Sequence, residues 1–311
     1  MSDLVELEEP VPQATRDTRE EIRRISDRVR ARRQRTSRIM VVFCGAALVL
    51  AAVPLVALMY QLFDKGLSQI NWKFFTTLPT TPTLPAPNAT GGISNAIVGT
   101  IALTIYASIM AIPVGVLVGI YLAETESKLA TSLRVVSQTM AGAPSILMGL
   151  FAFSFLVHDL NIGFSSIAGS FALAVLMLPV IIISTEIAVR NVPNSLREAG
   201  LALGAKPHKV SLRIVLPSAI TGIVTGIILA VSRAVGETAP VLLVIGGGFT
   251  NSWQPFDPVS AMPLSIFENA KSEWPSQRAQ VWGIALVLVV FVFILSLTAR
   301  IWASRKQQVR N

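Results

Sequence analysis

Long apolar runs alternate with short polar stretches along most of this chain. A helix needs about 20 mostly apolar residues to cross the hydrocarbon core of a bilayer. Six stretches qualify: about 39–62, 95–123, 135–157, 166–189, 218–246 and 280–302. The third is the most polar, because Gln138, Pro144 and Ser145 dilute it. Pro113, Pro144, Pro179 and Pro240 fall inside runs, which bundled membrane helices tolerate because neighbours satisfy the freed backbone groups. The pattern predicts an all-α integral membrane protein with six transmembrane helices. It divides into a polar segment 1–38, a transmembrane domain 39–303 and a tail 304–311.

Composition agrees with that class. Hydrophobic residues make up 52% of the chain and charged residues 14%, against roughly 25% charged in soluble domains. The net charge of +8 does not point to nucleic acid, because the basic residues collect between the runs. Segment 1–38 holds ten arginines. Lys128 and Arg134, then Arg190, Arg197, Lys206, Lys209 and Arg213, then Arg300, Arg305, Lys306 and Arg310 lie on the same predicted side. The opposite side has Lys65, Lys73, Lys271 and Arg278. The positive-inside bias predicts that both termini are cytoplasmic. Cys44 is the sole cysteine, so no intramolecular disulfide forms, and His158 and His208 are too far apart in sequence to suggest a metal site.

The charged region before the first apolar run is too long for a cleaved signal, and the run of about 24 residues suits an uncleaved anchor. Ahead of it, Thr18 and Glu21 fit a capping box, and Ile22, Ile25 and Val29 recur at helical spacing. This predicts a cytoplasmic amphipathic helix, suited either to anionic lipid or to plain positive-inside anchoring. Two outer loops are long. Loop 63–94 carries a Pro/Thr run and an Asn88-Ala89-Thr90 acceptor triplet, and loop 247–279 carries WQPFDP and SEWPSQ. Their aromatic residues suit either the membrane interface or an external partner.

The inner loop 190–217 reads RNVPNSLREAGLALGAKPHKVSLRIVLP. Asn194 or Ser195 is positioned to cap a short helix. Gly204 is free to take a positive φ and end it, and Pro207 suits the first turn of a second helix. The result is a helix-turn-helix elbow beneath the bilayer. The stretch resembles the EAA loop of ABC-importer permeases: Glu198, Ala199 and Gly200, then Gly204, then Ile214, Leu216 and Pro217 hold the family's spacing. Gly200 stands where that pattern has a second alanine. The resemblance implies the six-helix type I permease fold. It also implies that the elbow seats in a groove of an ATPase subunit and follows its motion. The chain itself has no GxxxxGK[ST] phosphate loop.

The fifth run contains SRAVGETAP, residues 232–240. Charges inside a membrane are costly and mark functional sites by default. Arg233 and Glu237 are four residues apart, hence on one helix face, and 1.5 Å per residue places them around or just beyond the midplane of a helix starting at Ser218. Glu186 and Arg190 form a second i, i+4 pair, near the inner interface, and read as structural. SRAVGETAP resembles the matching stretch of phosphate ABC-importer permeases of the PstA type. GGISNAIVGT (91–100), IPVGVLVGIYLAE (112–124) and AGAPSILMGLF (141–151) resemble other parts of that family. The resemblance spans about residues 91 to 303.

It implies a subunit of an ATP-driven phosphate importer in a bacterial-type plasma membrane. The partners implied are a PstC-type permease chain, two ATPase subunits that use ATP–Mg, and an extracytoplasmic phosphate-binding protein; no cofactor is implied for this chain. The substrate pathway is expected at Ser232, Arg233, Glu237 and Thr238. There Arg233 attracts the anion, and Glu237 accepts the proton that phosphate retains and sulfate lacks. An Arg233–Glu237 ion pair that only neutralises itself remains an alternative. So do a permease for sulfate or molybdate and the sister PstC-type subunit. A membrane enzyme is disfavoured by the lack of any HExxH or Ser/His constellation, and a receptor would not need the elbow.

Overall fold

The computed structural model describes residues 13–80 and 91–308, with the side chains of 33–80, 91–299 and 301. Among these the fold is helical, with only two isolated bridges, Pro79 to Gly91 and Gly246 to Val259. Contacts divide the chain into two units, Met1–Gln61 and Leu62–Asn311. Helix α1, Gln13–Leu67, runs unbroken through Thr18 and through the expected boundary at residue 38. Thr18 therefore lies inside the helix and is not its cap. No glycine or proline interrupts the sequence between Gln13 and Cys44, so nothing forces a break there. Residues 1–12 lie outside the described residues, as does the Asn88-Ala89-Thr90 triplet.

The second unit is built around α6, Ser166–Arg190. Its central apolar window is 67% buried, whereas the corresponding windows of α3 (Ser94–Glu124), of the helical stretch ending at Gly236 and of the last helix are 17–33% buried. Two glycine pairs explain how α6 is enclosed. Gly115 and Gly119 of α3 face Ile181, Ile182 and Thr185. On the other side Gly222 and Gly226, in the helix Leu216–Gly236, face Ala188 and Ser184. Lipid tails are as apolar as side chains, so helices associate in membranes through close packing of small residues at four-residue spacing. At Gly119 a Cβ would lie 2.5 Å from Thr185 Cβ and 2.8 Å from the Ile182 carbonyl oxygen. Gly119→Leu is expected to prise α3 from α6 and cost about 2 kcal/mol or more, as overpacking does. A thermal-unfolding comparison of the purified variant and wild type checks this, and an unchanged midpoint would reject it.

The third expected span is not one straight helix. α4, Lys128–Ala141, and α5, Ser145–Ala152 with a wider π-helical continuation Phe153–Asp159, meet at 106°. Gly142 ends α4, and Pro144, with φ −57° and ψ 132°, starts α5. Proline disfavours helical backbone in the residue before it, so AGAPS breaks the helix. The described residues thus contain five helical stretches long and apolar enough to span a membrane, or six if the bent pair counts as one span.

Candidate translocation site and coupling elbow

The short elements around the two charges follow from the same local chemistry. The elbow's first helix is α7, Asn194–Ala202; α8, Pro207–Val210, opens its second arm. A π-helical turn, Ser211–Val215, joins α8 to α9, Leu216–Gly236. After α9 the backbone of Glu237 is extended, with φ −76° and ψ 130°, and a single turn, α10, follows over Ala239–Leu242. The fifth helix therefore ends ten residues before the expected limit at 246. Gly236 and Pro240 flank the break, and Pro240 falls in the first turn of α10, where its missing N–H costs nothing.

The two broken segments meet. A Cβ on Gly149 of α5 would lie 2.5 Å from the Pro240 carbonyl oxygen and 2.7 Å from its Cα, so only glycine lets the α5 and α10 backbones touch. AGAPS and GETAP, distant in sequence, thus build one junction of interrupted helices. Interrupted helices at a packed junction are how transporters expose backbone and polar groups to substrate inside a membrane.

Arg233 Nε donates to Glu237 Oε1 at 3.1 Å. The two side chains differ in exposure, 47% for Arg233 and 18% for Glu237. The guanidinium is the accessible member, and the carboxylate sits against the break. The break after Gly236 places both charges at the far end of α9, beside the interruption, rather than within a continuous helix. A small cavity beside Glu237 is lined by Thr100 and Thr104 of α3, Leu173 of α6 and Val241 of α10. Ser232 pairs hydroxyl to hydroxyl with Ser296 of α12 (Pro275–Gln308) at 2.9 Å, which ties the site to the last helix. Thr238 is half-buried at the break, and its carbonyl accepts from Leu242 N–H at 3.0 Å.

The elbow turns on Gly204. Its φ is 78°; Gly204 N–H donates to Leu201 O at 2.9 Å and Ala205 N–H to Gly200 O at 3.3 Å, the paired bonds of a Schellman ending. Pro207 occupies the first turn of α8. The start of α7 differs from expectation: Pro193, not Asn194 or Ser195, holds the cap position, with no side-chain cap bond. Proline's fixed φ sets the chain direction there without a capping hydroxyl. Gly200 is buried because it faces the elbow's own second arm, where a Cβ would lie 2.7 Å from Ile214 Cδ1 and 3.0 Å from Val210 Cγ2. The glycine in place of the second alanine therefore closes the elbow on itself. Glu198, Ala199, Leu201 and Leu203 remain exposed on the outer side, Ile214, Leu216 and Pro217 are half-buried, and Val215, between Ile214 and Leu216, is fully buried.

Sequence reasoning missed what fastens this elbow. Arg197 Nη1 donates to Glu124 Oε1 at 2.6 Å, at the end of α3, and its Nη2 donates to the Val189 carbonyl at 3.1 Å, at the end of α6. Glu186 accepts from Arg134 Nε at 2.8 Å as well as pairing with Arg190 at 3.1 Å. Arg134 and Arg190 also both donate to the Leu122 carbonyl, at 3.1 and 3.2 Å. Of these contacts only Glu186–Arg190 is local in sequence, so it alone had a signal in the residue spacing.

An interrupted-helix junction holding an ion pair, with a glycine-turned elbow feeding one of its helices, is the architecture of a membrane transport permease. Residues 111–308 match the family described as binding-protein-dependent transport system inner membrane component, and the chain belongs to that family. Within it the chain belongs with the phosphate transport system permease proteins PstA. It is 34% identical to the one from Haemophilus influenzae over 80% of this chain and 87% of that protein. It is 34% identical to the one from Yersinia pestis over 88% and 92%, and 33% identical to PstA 1 of Mycobacterium tuberculosis over 89% and 92%. Solved structures show the same fold. An inward-facing MetNI methionine ABC transporter gives a TM-score of 0.55 at 20% identity, over 68% of this chain and 94% of that one. A bacterial alginate ABC transporter gives 0.59 at 14%, over 85% and 92%. The chain is thus a multi-pass membrane permease with the type I importer fold, and it works with other ABC transporter components.

Proposed function

We propose that this chain is one of two permease subunits of an ATP-driven importer of inorganic phosphate. The observation that carries this reading is the continuity of the elbow with α9, whose far end bears Arg233 and Glu237. A displacement at the elbow is delivered directly to the helix that holds the charges. The substrate comes from the name its relatives share. The partner set is a PstC-type chain, two ATPase subunits and an external phosphate-binding protein, and both termini face the cytoplasm, as the arginine-rich flanks favour.

ATP–Mg is bound and hydrolysed by the ATPase subunits, since this chain has no phosphate loop. The exposed face of α7, with Glu198, Ala199 and Leu203, enters the ATPase groove, and Gly200, Gly204, Ile214, Leu216 and Pro217 keep the elbow's shape. At the junction Arg233 exchanges its bond with Glu237 for bonds to substrate oxygens, its planar fork matching two of them. Glu237 accepts a hydrogen bond from the proton that phosphate keeps at neutral pH, and repels an anion with no proton to give. Ser232 and Thr238 add hydroxyls at the same level. Residues 1–38 anchor the amino terminus at the inner surface, next to anionic lipid.

Reconstitution of the four-component complex in vesicles tests the reading. Phosphate uptake that needs ATP and the binding protein, and that resists a large excess of sulfate, is the expected result. Uptake of sulfate or molybdate in preference to phosphate would replace phosphate with another oxyanion.

A further inference from the structure

A polar cavity on the side of the membrane opposite the elbow has a volume of about 290 Å³. It lies between the start of α3, the loop after α10, α11 (Met262–Ala270) and the start of α12. Gly246 and Gly247 form part of its wall, with φ of 76° and 69°; side chains are excluded there by conformation, and the cavity stays open.

Its polar lining has a bias. Three of the lining amides commit their nitrogens to the protein: Asn95 Nδ2 donates to Gly248 O at 2.7 Å, Gln280 Nε2 to Gly91 O at 3.2 Å and Asn269 Nδ2 to Gln280 Oε1 at 3.4 Å. Ser260 and Ser265 bond to each other at 3.1 Å. The remaining strong group is Glu268, the sole charged residue of the lining. Its Oε1 lies over Gly247, 3.9 Å from where a Cβ would be. Among the described residues no cation pairs with it. Lys271, three residues on, places its Nζ 3.6 Å from the centre of the Phe267 ring instead. Partial burial raises the Glu268 carboxyl above its ordinary pKa, the sign of a charge that has lost water and gained no partner. One unpaired carboxylate among neutral polar groups suits a cation and repels phosphate.

We propose that this cavity receives an arginine or lysine side chain of the external binding protein when it docks, with Glu268 as its counter-ion. The proposal rests on the reading of the chain as an importer subunit, which supplies such a partner on this side. A cavity of this size admits one long side chain, and a guanidinium or ammonium reaching the Gly247 wall meets Glu268 there. Docking then pairs a carboxylate that the resting chain leaves alone. The same charge gives the interface a preferred partner sign, which sets specificity and encounter rate more than raw affinity.

The test uses the assembled transporter in nanodiscs and the phosphate-loaded binding protein of the same system. Glu268→Gln is expected to weaken docking about ten-fold, and Glu268→Lys further, since a like charge now faces the incoming cation. The affinity of wild type should fall with added salt more steeply than that of Glu268→Gln. A measurement on wild type alone guards against a variant that fails to assemble. Carbodiimide with glycinamide should label Glu268 in the free transporter, and the docked binding protein should protect it. Docking of Glu268→Gln within two-fold of wild type, or labelling unchanged by docking, overturns the proposal while wild-type docking and uptake leave the importer reading standing. If wild type itself does not bind the phosphate-binding protein, both fall.

Discussion

Arg233→Gln is expected to abolish phosphate uptake, and the double variant Arg233→Gln, Glu237→Gln to stay inactive. The guanidinium is nearly half exposed while the carboxylate is mostly covered, so the arginine is the member that meets an incoming anion. Removing it takes away the charge that attracts phosphate and leaves Glu237 without its 3.1 Å partner. The drop expected is about a hundred-fold or more, the size seen when a donor aimed at an oxyanion is lost. Glu237→Gln alone acts differently. It keeps the side-chain shape and lowers the repulsion of fully ionised anions, so phosphate uptake falls and the margin between phosphate and sulfate narrows. The double change separates a substrate site from a self-neutralising pair. Two neutral glutamines remove the uncompensated charge that each single variant leaves behind, which is the main cost of breaking an ion pair. If the pair served packing alone, uptake would return in the double variant, and that recovery would sink the substrate role of Arg233. Competitive phosphate and sulfate uptake by the three variants, with equal insertion verified, provides the comparison.

That experiment targets residues that hydropathy exposes at once, because a charge inside an apolar run has few bland explanations. Other features were legible for equally local reasons. Gly204 takes a positive φ and Pro207 opens a helix because the turn between two short helices needs both, and the need shows in the spacing. The interruptions were only half legible. Pro144 and Pro240 mark where helices are weak, yet proline also sits inside α3 at Pro113 and α6 at Pro179 without breaking them. What separates the cases is tertiary. The helices that follow the two breaks, α5 and α10, come into contact through Gly149 and the Pro240 backbone, and a pairing across some ninety positions leaves no periodic trace. The length of α1 was not legible. A change from polar to apolar composition at residue 38 suggests a boundary, but helix propensity does not change there and the backbone continues. The raised carboxyl of Glu268 was invisible for a third reason: its meaning lies in partners that are missing in space, not in sequence.

Arg197 carries the second large effect, and it concerns how force leaves the elbow. α7 is joined to α6 through Asn191–Pro193, while one guanidinium links α7 to the ends of both α3 and α6. The 2.6 Å contact to Glu124 and the 3.1 Å contact to the Val189 carbonyl make Arg197 a cross-brace between the part that meets the ATPase and two spanning helices. Bidentate arginine contacts hold geometry in a way that a lysine cannot copy. Arg197→Lys and Arg197→Ala are therefore expected to leave the complex assembled and hydrolysing ATP, while uptake falls about ten-fold or more, the size of losing a charged hydrogen bond of 1.5–3 kcal/mol. The informative readout is phosphate imported per ATP hydrolysed. A brace that only adds stability would lower transport and hydrolysis together, as less complex survives. A brace that transmits motion lowers their ratio. Exchanging the charges, with Arg197→Glu and Glu124→Arg in one chain, rebuilds the contact between α7 and α3 but not the one to the Val189 carbonyl. The ratio should then recover in part. An unchanged ratio in Arg197→Ala would remove this residue from the coupling path and leave the backbone continuity from α8 into α9 as the sole route from the ATPase to Arg233 and Glu237.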